Sequence, residues 1–260
     1  MNNQIVRQFL ISPAAGKRII AKSFLHMPEI SDALVNDTIV IIAGTTNGYV
    51  SEEILESIGQ GAGFSRKRFF RGIMPPPEYS ISGSGRLPDE SQFPGDVVIV
   101  KGKWLKGKTI FDVVDSLQKG DIIIKGANAL DLRNRQAAIY IGHPKAGTTG
   151  AALQAVFGRR VALYLPVGLE KRVCGDINKI AEILASSNVS GPRLLPVSGN
   201  IITELDAIRI LTGSESTLVA AGGVCGAEGS CWVAVSGTQE QIQKAQILLE
   251  SVSKEPNFEL

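Results

Sequence analysis

The sequence predicts an α/β protein: a Rossmann-like, mostly parallel sheet with helices on both faces, followed by a smaller C-terminal α+β module. Three observations carry that expectation. Thr38–Ala43 is an unbroken β-branched run, the composition of a strand buried on both faces. Similar apolar runs recur at Asp96–Val100, Asp121–Lys125, Ala137–Ile141 and Val161–Leu165. Helical patterns separate several of them, the alternation that builds a sheet with crossover helices. After Pro166 the texture changes, and a boundary is expected there, with residues 1–168 forming the Rossmann-like domain and 169–260 the small one.

Taken in order, 14–35 reads as a helix, because Ile19, Ile20, Phe24 and Leu25 fall at helical spacing between Lys17, Arg18 and Lys22. The Thr38–Ala43 strand enters the turn Gly44–Gly48, and a helix is expected over 50–57 with Glu52 and Glu53 near its positive end. Residues 64–73 are basic and aromatic. Residues 74–94 hold three consecutive prolines and a Ser-Gly-Ser-Gly stretch, and read as an extended excursion. Short helices are expected at 110–117 and 150–157. In the last third, 177–186 and 203–211 read as helices, with Thr203 and Asp206 resembling a capping box, and 193–197 as a strand. Residues 217–221 and 231–235 read as a hairpin across a glycine-rich turn, and 238–252 as an amphipathic helix.

The bulk numbers exclude several classes. The chain has 260 residues, 44% of them hydrophobic, enough for a substantial core. A net charge of +2 provides no overall field for nucleic acid or an anionic membrane. No apolar run reaches the ~18 residues of a membrane span, and the N-terminus does not read as a signal peptide. The three cysteines lack metal-ligand spacing and are odd in number, which fits a reducing, cytoplasmic setting. No metal or cofactor is expected.

Three strand-end turns are candidate sites. Gly44-Thr45-Thr46 follows a buried strand and opens a helix, so backbone N–H groups, hydroxyls and the positive helix end can meet phosphate or carboxylate oxygens. Its bland counterpart is a tight turn that caps a helix. The spacing matches neither a P-loop nor a dinucleotide fingerprint. The second turn, Gly142–Gly150, contains Gly147, Thr148 and Thr149, together with Lys145 as a candidate charge or proton donor. His143 beside Pro144 is better read as a packed loop residue. The third, Lys125–Asp131, offers Asn128 and Asp131 to sugar hydroxyls, against the simpler reading of an Asx turn. Arg66–Arg68 and Arg71 read as a solvated charge run, and Cys225 and Cys231 as buried thiols.

The order of Gly44-Thr45-Thr46, Gly126-Ala127-Asn128, the Lys145–Leu153 segment, a strand ending near Lys171 and a terminal α+β module resembles A-type ribose-5-phosphate isomerase. It is similar too to the wider superfamily with CoA transferases and sugar-phosphate-sensing repressor domains. The resemblance implies a phosphate-binding loop and a retained Lys145. It also implies an acidic segment where this chain has Lys125-Gly126-Ala127-Asn128-Ala129, and a glutamate base where it has Val156. Enediol chemistry needs such a base, so the isomerase reaction is not expected. The expected function is binding of a phosphorylated small metabolite, with an unspecified isomerase- or transferase-like reaction. The alternatives are an acyl-CoA-linked transferase or hydrolase, for which no glutamate nucleophile stands out, and a non-catalytic assembly protein. A homo-oligomer is compatible with this fold class.

Overall fold

The computed structural model describes residues 4–72, 78–80 and 89–258, so most of the excursion read at 74–94 lies outside the described residues. In chain order the strands and helices are β1 (Ile5–Ile11), α1 (Pro13–Phe24), α2 (Pro28–Asn36), β2 (Thr38–Ile41), α3 (Thr45–Ser57), β3 (Val97–Val100), β4 (Lys103–Trp104), α4 (Ile110–Val113), β5 (Ile122–Ile124), β6 (Ala129–Asp131), β7 (Gln136–Ile141), α5 (Gly147–Arg159), β8 (Ala162–Pro166), α6 (Ile177–Ala185), β9 (Arg193–Val197), β10 (Asn200–Ile202), α7 (Glu204–Thr212), β11 (Glu215–Gly222), β12 (Ser230–Gly237) and α8 (Gln239–Val252). The fold is mixed α/β.

The main sheet has six strands in the order β10-β8-β5-β2-β3-β4. The first four are parallel, with Ile41 beside Ile124, Ile124 beside Tyr164, and Pro166 beside Ile202. Strands β3 and β4 add antiparallel at one edge, so Val97 pairs with Ile41. Residues 39–42 and 122–124 are almost completely buried, as the unbroken aliphatic runs require.

Two three-stranded sheets complete the fold. One has the order β6-β7-β9 and is antiparallel. The other has the order β1-β12-β11, also antiparallel. It contains the expected glycine-rich hairpin, but its third strand is the N-terminal segment Ile5–Ile11, which was not among the expected elements. β10 likewise returns to the main sheet beside β8. Strands from either side of residue 168 therefore share sheets, and one hydrophobic core runs through both segments.

The helix expected over 14–35 is two helices. Pro28 starts α2, and the residue before a proline leaves the helical region: Met27 is extended. α3 begins at Thr45, earlier than expected, which places Glu52 and Glu53 in its middle. There they face a cation cluster rather than the helix end. Arg18 binds Glu52, Glu53 and Glu255 at 2.8–3.0 Å. Arg66 binds Glu52 at 2.7 Å and Glu255 at 3.4 Å. Both guanidinium groups lie over the Tyr49 ring. Arg66 is thus a packed cross-link between α3 and the C-terminal tail, not part of a solvated run. The capping box read at Thr203 and Asp206 is formed. Of the two cysteines expected in the core, Cys231 is buried and Cys225 is exposed in a turn.

Candidate functional site

Parallel pairing lines up the carboxyl ends of β10, β8, β5 and β2, and antiparallel β3 begins at the same edge. This edge carries, in sheet order, Glu204, Gly168 to Lys171, Lys125-Gly126, Gly44–Thr46 and Asp96.

The centre of the row is Lys125, directly after β5. It is only 9% exposed. Its ammonium donates to Thr148 Oγ1 at 3.2 Å and has no carboxylate in ion-pair range among the described residues. The nearby carboxylate, Asp96, is occupied elsewhere. Asp96 Oδ1 accepts from Ala43 N–H at 3.0 Å and from Arg71 at 2.9 Å, and Oδ2 accepts from Ile110 N–H at 2.8 Å. Burial lowers the Lys125 pKa to about 8, Asp96 opposes that and Arg71 adds to it.

The α3 turn adjoins this lysine. Asn47 Nδ2 donates to Ile42 O at 2.6 Å and to Ile124 O at 3.1 Å, which locks the first turn of α3 onto the ends of β2 and β5. Asn47 Oδ1 and Thr46 Oγ1 are buried and have no hydrogen-bond partner among the described residues, an uncommon state for buried polar atoms. No side chain caps the helix at Gly44. Gly44 has extended backbone that any residue can adopt. A Cβ there would meet nothing among the described residues nearer than Ile42 O at 4.0 Å, and one at Gly126 would meet nothing within 4 Å. Neither glycine is demanded by backbone strain or by packing against the described residues, and among these both leave open space at a strand end.

The α5 turn supplies Thr148 to Lys125. Ala146 and Gly147 are both left-handed, with φ of 57° and 51°, a conformation that collects backbone N–H groups into a concavity. Thr149 is buried. Thr148 thus meets Lys125, and Asn47, next after the 44–46 turn, meets the carbonyl of Ile124, so both turns are anchored at the end of β5.

The other expected residues lie elsewhere in the local network. Lys145 is exposed, and its backbone N–H donates to His143 Nδ1 at 3.1 Å. Asn128 Oδ1 accepts from Tyr140 N–H at 3.0 Å, which clamps the start of the β6–β7 hairpin. Asp131 sits at the turn end of that hairpin and accepts from Asn134 N–H and Nδ2 at 3.0 and 2.7 Å, an Asx turn.

Sequence reasoning missed Lys125 itself. The available signal was a lysine immediately after a triple-isoleucine strand, at the edge where open α/β sheets meet ligands. It also missed the buried charge group after β8 and β10. Glu170 binds Lys17 at 3.1 Å, Lys171 Nζ donates to Ala127 O at 2.8 Å, and Glu204 accepts from Leu169 N–H at 2.9 Å. Burial and the neighbouring Glu170 push Glu204 up to about 8. Burial also works to raise Glu170, but Lys17 and Lys171 outweigh it and hold that carboxyl low. Among the described residues no group of three or more His, Cys, Asp or Glu side chains is placed to hold a metal ion, and no helix is long and apolar enough to cross a membrane. Comparison of the chain with protein-family models, curated proteins and solved structures gave no match.

Proposed function

We propose that the protein binds a phosphorylated small metabolite, a sugar phosphate or similar anion, between the turns Gly44–Thr46 and Gly147–Thr149, with Lys125 beneath them. The carrying observation is Lys125. A buried ammonium is costly without a counter-charge, and this one has a neutral hydroxyl as its partner and two helix starts around it. An anion supplies the missing charge, backbone N–H groups supply donors, and Thr46 Oγ1 supplies a hydroxyl that the fold leaves unused.

The same reading takes the six-stranded sheet as Rossmann-like and residues 169–260 as the bulk of a smaller α+β module. Four adjacent parallel strands support the first, and the β11–β12 hairpin with α7 and α8 supports the second. It also takes the setting as cytoplasmic. Lys145 becomes a rim residue in this reading, and Asn128 and Asp131 shape the neighbouring hairpin.

Thermal-shift and calorimetric titration with inorganic phosphate, pentose and hexose phosphates and nucleotides tests it. Phosphorylated compounds should stabilise the wild type. Thr45→Ala, Thr46→Val, Thr148→Val and Lys125→Met should weaken binding at least fivefold, and Lys145→Ala less than twofold. Absence of stabilisation across the panel would remove the proposal.

A further inference from the structure

We propose that Lys125 is a nucleophilic amine, which forms a reversible imine with the carbonyl carbon of a phosphorylated aldehyde or ketone held in this crevice. The inference rests on the anion-binding reading above and gives that site a substrate class and a reaction.

A lysine that adds to carbonyls has to spend part of its time as the free amine, lie next to space a substrate can enter, and have polar atoms ready for the oxygen it displaces. Lys125 meets each condition by its placement. It is buried at the end of a central parallel strand, and among the described residues its ammonium bonds only the Thr148 hydroxyl, at 3.2 Å. Burial is the main force against its ammonium form; Arg71 adds to it, and Asp96, engaged by Arg71 and two backbone N–H groups, opposes it without offsetting it. The low pKa follows from the same surroundings. Lys171, half-buried and also lowered by burial, differs in its partners, because it donates to Ala127 O and lies beside Glu170 and Glu204.

The open positions at Gly44 and Gly126 flank Lys125 on adjacent strand ends. The unpartnered Thr46 Oγ1 and Asn47 Oδ1 lie in the α3 turn, and Asn47 is bonded to the carbonyl of Ile124, the residue before the lysine. Among the described residues these atoms have no partner: Thr46 Oγ1 can donate to a substrate oxygen, and Asn47 Oδ1 can accept from a substrate hydroxyl or the carbinolamine hydroxyl.

The step balances without a co-reactant. The Nζ lone pair adds to the carbonyl carbon, and the C=O π pair moves to oxygen. A proton passes from nitrogen to that oxygen, for which the Thr148 hydroxyl is the adjacent relay. The hydroxyl then leaves with a second proton as water, and the C=N bond forms. Amine plus carbonyl gives imine plus water. The phosphate stays on the N–H groups of α3 and α5, so its charge is directed to the helix ends while the carbonyl is offered to Nζ.

The test is reductive trapping on the full chain. Glyceraldehyde 3-phosphate and dihydroxyacetone phosphate are each incubated with the protein and sodium cyanoborohydride at pH 8, and labelled lysines are located by peptide mass mapping. Label should concentrate on Lys125, at least tenfold above Lys145, and fall by about tenfold when dihydroxyacetone without phosphate is used. Lys125→Met should abolish that label, and Lys125→Arg should do so while retaining stabilisation by inorganic phosphate. If inorganic phosphate stabilises the wild type but label is spread evenly over surface lysines, the imine is overturned and the anion site stands. Equal labelling of Lys125 by phosphorylated and unphosphorylated carbonyls overturns the substrate class. Neither stabilisation nor label overturns both readings.

Discussion

Replacing Lys125 by methionine should make the free protein more stable at neutral pH, and the gain should vanish in alkali. The unfolded lysine titrates near 10.5 and the folded one near 8. A fall of that size, at about 1.36 kcal/mol per pH unit, corresponds to roughly 3 kcal/mol of unfavourable folding free energy whenever both states are protonated. The sign follows from proton counting. Below about pH 8 native and unfolded chains both hold the proton, so the full cost is present. Between about 8 and 10.5 the unfolded chain still holds it and the native chain does not, so wild-type stability rises with pH. Above 10.5 the cost is gone. Lys125→Met removes the cost and forfeits one hydrogen bond to Thr148, worth roughly 1 kcal/mol. The expected net gain is about 2 kcal/mol at pH 7. Urea unfolding of both proteins in phosphate-free buffers from pH 6.5 to 10.5 measures it. A variant less stable than wild type at pH 7, or a difference that does not change with pH, refutes the account of Lys125 as a buried, uncompensated cation.

Other outcomes follow from the same geometry. Glu204 titrates near 8 in the fold and near 4.5 when unfolded, so its contribution to stability is intact below about pH 4.5 and is lost as pH rises toward 8. Glu204→Gln should flatten that decline in a pH series of melting temperatures. Thr46→Val should leave the free protein as stable as wild type or more so, by up to about 1 kcal/mol, because it deletes an unpartnered buried hydroxyl, while it weakens phosphate binding. Arg18→Met removes one cation from Glu52, Glu53 and Glu255, leaving Arg66 to two of them and Lys22 to the third, and should cost about 2 kcal/mol in denaturant unfolding. A Cβ on Gly168 would fall 1.8 Å from Glu170 Oε2. Gly168→Ala should therefore cost about 2 kcal/mol, and clearly less in a Glu170→Ala background, as a double-mutant cycle would show.

Much of the main sheet was legible because its strands are buried on both faces. β2 and β5 are continuous isoleucine and valine runs, and no local alternative competes with them. The Thr203–Asp206 cap was legible because both partners lie within one turn. Partners distant in sequence were not. β1 alternates weakly and is specified by its match to β12, from Ile11 beside Cys231 to Ile5 beside Gly237. Glu52 and Glu53 fit a helix start by charge alone, and only the positions of Arg18, Arg66 and Glu255 give them their actual role. At the site, the glycine-threonine turns could be read locally, since turn chemistry is local. That both are anchored at the end of β5 depends on β5 lying between β2 and β8 and on Thr148 reaching back to Lys125 from α5. The approach of Glu170 to Glu204 depends in the same way on β10 docking beside β8.

The register of β1 against β12 has a consequence for synthesis. β1 is made before β12, and its partner residues lie 220 or more positions later in the chain. During elongation β1 has no sheet to join, and closing so long a loop is entropically slow. Val6 and Leu10, exposed even in the finished protein, then travel on an unpaired strand beside a growing chain. A nascent chain that stops before residue 237 should be the species that needs a chaperone, and the release of the C-terminal segment should mark the moment at which the molecule becomes resistant to protease.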